Sequence, residues 1–400
     1  MLNNAMNPID FSAPSGSPRV ISSPNPSSGI ASPSQIGVSE FADYSLVIDA
    51  RSPREYAEDH LPGAANLPVV DDAQYAEVGT RHRSDKHGAY LVGVEYSLRN
   101  IADQIKPLIS QYGEGDHFLV YCFRGGKRSR LWADSLRTIG FKVDVLEGGW
   151  KRYRQWVRES LQTLPSRFTY RVLAGPTGCG KTRLLKALAA HGEQVLDLEA
   201  LAKHRGSLLG DLPGVSQPTQ KSFDSSLLDE LRRFDSSRPV WTEAESKKVG
   251  NLQIPESLFD CMHLAEVIHL DAPMNERVKL WREDYPHFAT DPIDMVHKLL
   301  PLKPLVGRQQ LATWLGLAER GATDALFESV MSAHYDPCYL RSTGNNYRRT
   351  EAHRNFPLEA LSAEALAQAA RQLAALPPPA ARVVMSDVAI NSGAGDSPSR

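Results

Sequence analysis

Two loops able to hold anions lie about fifty residues apart in this chain, and one of them begins with a cysteine. The first reads VYCFRGGKRS, Val120–Ser129. Cys122 ends an apolar run, and Phe123, Arg124, Gly125, Gly126, Lys127 and Arg128 lead into a helical pattern. A strand end, glycines and a helix start in that order bring several backbone N–H groups and the positive end of a helix to one point. That field, with the three cations of the loop, stabilises a thiolate. The thiolate is the nucleophilic form of cysteine, so covalent chalcogen or phosphoryl transfer is the chemistry to expect.

The second loop reads VLAGPTGCGKT, Val172–Thr182, and satisfies G-x-x-x-x-G-K-T with Gly175, Gly180, Lys181 and Thr182. Its glycines, Gly178 included, let backbone amides turn inward around a phosphate. Lys181 neutralises the outer phosphates, and the Thr182 hydroxyl can hold Mg²⁺. The context fits, with an apolar strand pattern before the loop and TRLLKALAAHG after it. Cys179 reads as a small filler residue. An acidic metal partner is harder to choose. PVWTEAES offers Glu243 and Glu245, VIHLDAP offers Asp271, and the pattern does not separate them.

Elements must position these loops, and the chain is long enough for two units. Its 400 residues exceed one usual core. Residues 1–38 and 376–400 are rich in Ser, Pro and Gly and are expected to be disordered. Between them SLVIDA, HFLVYC and KVDVLEGG read as strands, alternating with amphipathic helices such as GKRSRLWADSLRTIG. A second alternation runs through YRVLAG, EQVLDLE, PVWTEAE and EVIHLDAP, followed by mainly helical patterns to residue 375. The expectation is two parallel-sheet α/β domains, 39–160 and 165–375, the second with a helical C-terminal part. The net charge of −2 gives no global case for a nucleic-acid partner, so any such surface must be local. The four cysteines form no C-x-x-C pair, which argues against a zinc site or a disulfide framework and fits a reducing cytosol. No run is long and apolar enough to suggest a membrane span or a signal peptide, and a cytoplasmic protein is expected.

The first domain resembles the rhodanese family. VIDARSPREYAEDHLPGAANLP, Val47–Pro68, looks like that family's opening, and VLEGGW, Val145–Trp150, like its close. The resemblance implies that Cys122 carries the chalcogen and that the loop Phe123–Arg128 binds the anionic end of the donor. Asp49 and Arg51 would organise the domain, Glu55 lies on the following helix, and His60 would be a turn residue. Cys122 and Arg128 also satisfy C-x5-R, the spacing of cysteine phosphatases, whose arginine clamps a phosphate. The loop alone leaves both reactions open.

Further segments narrow the resemblance. AEVGTRHR (Ala76–Arg83), LDLEALAKHRGSLLG (Leu196–Gly210), TEAESKKVGNLQIPESLFDCM (Thr242–Met262) and HYDPCY (His334–Tyr339) occur in order with both loops. Together they are similar to the bacterial tRNA 2-selenouridine synthase family. Membership implies a two-step exchange at the wobble uridine: geranyl diphosphate alkylates the sulfur of 2-thiouridine, and selenium from selenophosphate then replaces the geranylthio group by way of Cys122. The partners implied are a tRNA carrying 2-thiouridine, selenophosphate and geranyl diphosphate. No tightly bound cofactor and no metal ligand set are expected beyond possible Mg²⁺, and the chain is expected to be a monomer. Arg205, in KHRG just after a strand, is placed near the substrate phosphates or the anticodon backbone. Basic stretches such as GTRHRSDKH and KRYRQW are the candidate RNA contacts. Ala244 stands where an acidic residue is expected in some relatives, leaving Glu243 and Glu245 as that segment's candidates. Two alternatives stay open: a rhodanese-type sulfurtransferase fused to a kinase-like nucleotide-binding module, and a cysteine phosphatase.

Overall fold

The computed structural model describes residues 30–31, 43–113, 115–339, 341 and 353–379, with residues 30–31 as backbone only. The stretches expected to be disordered fall almost wholly outside these. Ile30–Ala31 is an exception: it forms strand β1 beside the first sheet. Residues 376–379 are another, because the Pro377 carbonyl accepts from the buried Arg171 guanidinium.

The first domain continues with β2 (Leu46–Asp49), α1 (Pro53–Glu58), β3 (Ala65–Asn66), α2 (Asp72–Arg81), α3 (Lys86–Ile109), β4 (His117–Tyr121), α4 (Lys127–Ile139), β5 (Lys142–Leu146) and α5 (Gly149–Thr163). Its sheet runs β1-β5-β4-β2-β3, every pairing parallel. Leu46–Ile48 and Phe118–Tyr121 are unbroken apolar runs because helices cover both faces of such a sheet. Local signals start the helices. Ser52 and Glu55 form a capping box on α1, Asp71 and Gln74 form one on α2, and Asp85 caps α3. Helix α4 has no side-chain cap, so its first N–H groups stay available to the thiol loop.

The second domain contains β6 (Tyr170–Ala174), α6 (Lys181–Ala190), β7 (Gln194–Leu196), α7 (Leu198–Ala202), α8 (Gln220–Arg233), β8 (Val240–Glu243), the hairpin β9 (Lys248–Val249) and β10 (Leu252–Gln253), α9 (Glu256–His263), β11 (Glu266–Asp271) and α10 (Met274–Asp284). Helices α11 (Pro286–Thr290), α12 (Pro292–Lys298), α13 (Lys303–Glu319) and α14 (Thr323–Val330) and a π-helical turn, Met331–Tyr335, pack on a core of their own. The chain then returns to the sheet as β12 (His353–Pro357) and ends in α15 (Ala363–Ala374). The sheet order is β12-β11-β6-β8-β7, again parallel throughout. The phosphate loop leaves the central strand β6. Strand β12 interrupts the stretch expected to be mainly helical: HRNFP is a mostly exposed edge strand with no apolar alternation to announce it. Among the described residues, no helix is long and apolar enough to cross a membrane.

The two domains share one core. Trp150, Tyr153, Val157 and Leu161 of α5 join Phe223 and Leu227 of α8 and Leu258 and Met262 of α9 in a single buried cluster. Arg154, buried at the same joint, donates to the Lys221 carbonyl at 2.8 Å, the Ser225 hydroxyl at 2.9 Å and the Asp224 carboxylate at 2.9 Å. Its Nε lies 3.5 Å from the fully buried Asp59, whose carboxyl is pushed up by burial against the pull of Arg154. Removing one member of a buried ion pair strands the other. Arg154→Ala is therefore expected to destabilise the protein by about 3 kcal/mol, read as a lower midpoint in urea unfolding.

Candidate functional site: a thiol loop and a phosphate loop

Cys122 follows the last residue of β4 and is almost fully buried. Its Sγ accepts from the Gly126 amide at 3.2 Å and lies 3.3 Å from the Ser129 hydroxyl, so the start of α4 points at the sulfur. The loop is held from below by the corner between β5 and α5. Trp150 N donates to the Cys122 carbonyl at 2.9 Å and Lys151 N to the Phe123 carbonyl at 3.0 Å. This contact explains the EGG of the corner. Gly149 has φ +55°, and a Cβ there would overlap the Cys122 carbonyl oxygen and lie 2.5 Å from Gly125 N. Phe123 stacks on Trp150 with ring centroids 5.6 Å apart. Arg124 and Lys127 are exposed at the loop's mouth.

Arg128 is engaged elsewhere. Its guanidinium donates to both oxygens of Glu55, at 2.6 and 3.3 Å. That pairing joins α1 to α4 and takes up the fork a phosphatase arginine would present to phosphate. Asp49 and Arg51 form a buried pair at 2.6 Å; Tyr121 donates to Asp49 at 2.7 Å and Arg51 to the Asp59 carbonyl at 2.6 Å. These groups brace the ends of β2 and β4 without touching Cys122. His60 stacks on Tyr56 at 3.9 Å, with its Nδ1 3.0 Å from the Tyr56 carbonyl, as a turn residue would.

In the phosphate loop Gly175, Gly178 and Gly180 all have positive φ. Two further contacts brace it. Arg277 donates to the Thr177 carbonyl at 2.9 Å and is itself held by Asp336 at 2.6 and 2.9 Å. Gly175 N donates to the Tyr339 hydroxyl. Asp336 and Tyr339 belong to HYDPCY, so that segment is a brace for the loop. Lys181 donates to the Gly175 carbonyl at 2.9 Å, and its ammonium lies 5.7 Å from the Tyr339 ring centroid. Burial works against the lysine charge, but Cys179, Tyr339, Glu199 and Glu243 outweigh it and hold the pKa above the ordinary lysine value.

The carboxylates near the loop differ in part from those singled out by pattern. The Thr182 hydroxyl lies 3.1 Å from Glu199 and 3.2 Å from Glu243. Glu199, Glu243 and Glu245 each place an oxygen within 4.8 Å of the others. Asp271, exposed at the end of β11, is not among them. Glu199 lies in the LDLEALAKHRGSLLG segment, whose resemblance implied no role for this acid; its other signal is its place just after β7, two strands from the loop. Three carboxylates and a hydroxyl are an all-oxygen donor group of the kind Mg²⁺ takes, and they include Glu243 and Glu245, two of the acids the sequence offered as metal partners. Burial first, and then the neighbouring carboxylates, raise Glu243 well above the ordinary range and push Glu245 up to about 8. Arg205 lines the same cleft of about 400 Å³ as Lys181, Thr182 and Glu199. It donates to the Asp284 carbonyl and lies 4.5 Å over the Tyr285 ring.

Comparison with known proteins places this geometry. Residues 38–155 match the rhodanese-like domain family, and residues 168–298 match the family described as the tRNA 2-selenouridine synthase AAA domain. The tRNA 2-selenouridine synthase of Aeromonas salmonicida is 31% identical over 344 residues, covering 77% of this chain and 90% of that protein. The chain belongs to the tRNA 2-selenouridine synthase family. The synthase of Nitrosomonas europaea is 34% identical over 258 residues, 63% of this chain and 66% of that protein. The synthase of Nitrosomonas eutropha is 34% identical over 244 residues, and the chain spans 62% of its length. In this family member the rhodanese-like match ends within α5, the helix that carries the domain joint.

The crowded carboxylates give the protein a pH signature. With folded pKa values raised, Glu243 and Glu245 hold protons that the unfolded chain releases in the ordinary glutamate range. Their contribution to stability is full below that range and is lost as pH rises through about 8. With a chelator present, Glu245→Gln should therefore melt above wild type at pH 8, by about 3 °C or more, and close to it at pH 5. Thermal melts across that range test this, and equal offsets at both pH values would contradict it.

Proposed function

We propose that this chain modifies the wobble uridine of tRNA, converting 2-thiouridine to 2-selenouridine by geranylation followed by selenation. The observation that carries the reading is the lining of the phosphate-loop cleft. Gly178, Gly180, Lys181 and Thr182 line it together with the apolar and aromatic side chains Leu212, Leu280, Trp281 and Tyr285. A short isoprenoid diphosphate has the same two characters.

In the first step the thiocarbonyl sulfur attacks C1 of geranyl diphosphate. The C1–O bond breaks, diphosphate leaves, and the uridine N3 proton is lost. Loop amides and Lys181 stabilise the charge that develops on the leaving diphosphate. Thr182, Glu199, Glu243 and Glu245 would hold a Mg²⁺, which when bound supplies further neutralisation of the diphosphate. S-alkylation makes the sulfur a good leaving group.

In the second step the Cys122 sulfur takes selenium from selenophosphate. The S–Se bond forms as the Se–P bond breaks with its electron pair departing on phosphorus, so that selenium is oxidised, phosphorus is reduced and phosphite leaves. The cysteine-bound selenium attacks C2 of the base, and geranylthiol leaves. Thiol reductant, two equivalents, then cleaves the remaining S–Se bond and restores Cys122. The Gly126 amide and the start of α4 support the thiolate that begins and ends this cycle. The Arg128–Glu55 pairing favours this reading over a phosphatase.

The test is mass spectrometry of nucleosides from 2-thiouridine-containing tRNA incubated with geranyl diphosphate, with and without selenophosphate. Wild type should give a geranyl adduct that converts to 2-selenouridine. Cys122→Ala should accumulate the adduct, and Lys181→Ala should slow its formation about a hundredfold. Unchanged tRNA under both conditions would sink the reading, and loss of both steps in Cys122→Ala would sink the division of labour.

A further inference from the structure

Helices α2 and α3 form an antiparallel pair inserted between β3 and β4, and neither loop chemistry accounts for their outer surface. Every residue from Arg81 to His87, across the turn and the start of α3, is exposed. Two tyrosines of this pair are also exposed, Tyr75 at 47% and Tyr90 at 46%, although burying an aromatic ring is worth more than leaving it in water. Both rings meet cations from the first turn of α4. The Lys127 ammonium sits 3.6 Å from the Tyr90 ring centroid, and the Arg128 guanidinium 5.6 Å from that of Tyr75. Lys127 follows Gly126, the residue whose amide holds the Cys122 sulfur. The tyrosines therefore stand at the rim of the thiol loop.

The charges around them favour an anionic, flat ligand. Five acids of the hairpin are occupied within the protein: Asp71 caps α2, Asp72 accepts from Arg54 N at 3.0 Å, Glu77 from the Tyr96 hydroxyl at 2.8 Å, Asp85 caps α3 and faces Arg81, and Glu95 pairs with Arg99 at 2.7 Å; Asp103 is exposed. Arg83, Lys86, Arg124 and Lys127 are exposed. Exposed rings interleaved with cations match unpaired RNA, whose bases stack on aromatics while its backbone seeks positive charge. A duplex would not use the rings in this way, since its bases are already stacked.

We propose that Tyr75 and Tyr90, with Lys127, form a stacking platform that holds unpaired anticodon-loop bases of the tRNA beside Cys122. This rests on the tRNA reading above and adds the binding site it needs at the thiol loop. The platform is tested by binding alone, so that it can fail separately from the chemistry. The probe is a fluorescent anticodon stem-loop RNA carrying 2-thiouridine at the wobble position, titrated against the full chain at several salt concentrations. Tyr75→Ala and Tyr90→Ala should each weaken binding about tenfold. Tyr90→Phe, which keeps the ring, should stay within about twofold of wild type. Lys127→Ala should lower the slope of log K against log salt by about 0.7, one single-strand phosphate contact. Alanine variants that bind like wild type would overturn the platform, as would a phenylalanine variant as weak as alanine. If wild type binds and the alanine variants do not, while no nucleoside is modified, the platform stands and the proposed reaction falls. A wild type that does not bind this RNA overturns both.

Discussion

Trp150 ties the thiol loop to everything else in the molecule. Its backbone N–H holds the Cys122 carbonyl, its ring stacks under Phe123, and its indole N–H donates to buried Asp59 at 2.9 Å. Asp59 in turn faces Arg154, and Arg154 reaches across the joint to three groups of α8. The chain can come this close only because Gly149 and Gly125 lack side chains. The position of the nucleophile and the docking of the second domain are thus set by one connected group of contacts. Only two or three side chains separate the domain joint from the thiol loop.

The two loops use one backbone device and opposite electrostatics around it. Each has a parallel strand ending in glycines at a helix start, so N–H groups converge on an anion. At Cys122 the surrounding side chains are cationic. At the phosphate loop three carboxylates crowd Thr182 and Lys181, and their raised pKa values record the cost of gathering like charges away from water. A site built only to hold phosphate would not accumulate acids. A site that must hold phosphate together with a divalent cation would, because the cation reverses the sign of the local field.

Much of this was legible in the residues. Both loops declare themselves because glycine, cysteine and lysine at fixed spacings have few other uses, and the buried strands β2, β4, β6, β8 and β11 read as apolar runs. What escaped depends on contacts distant in sequence. Glu199 joins Glu243 only because β7 and β8 pair in the sheet. Arg277 and Asp336 meet across 59 positions to brace a loop that neither adjoins. Strand β12 is short, polar and exposed, and it is recognisable as a strand only from its pairing with β11. Exposed tyrosines are likewise invisible in a pattern, because the same residue type at helical spacing usually marks a core face.

The shared core constrains how two steps of chemistry could be joined. A joint made of α5, α8 and α9 side chains, with a buried ion network inside it, resembles a domain interior more than a sliding interface. Swinging one domain over the other would expose Trp150 and take Arg154 from its three partners on α8, leaving it only Asp59. That costs more than moving an RNA loop whose bases are already unpaired. In the proposed reaction it is therefore the wobble base that travels. On that proposal the alkylated base would leave the phosphate cleft and enter the thiol loop while the protein frame stays fixed. A platform of exposed rings at the thiol loop's rim suits that task, since stacking holds a base without requiring a particular edge and releases it without breaking a buried hydrogen bond.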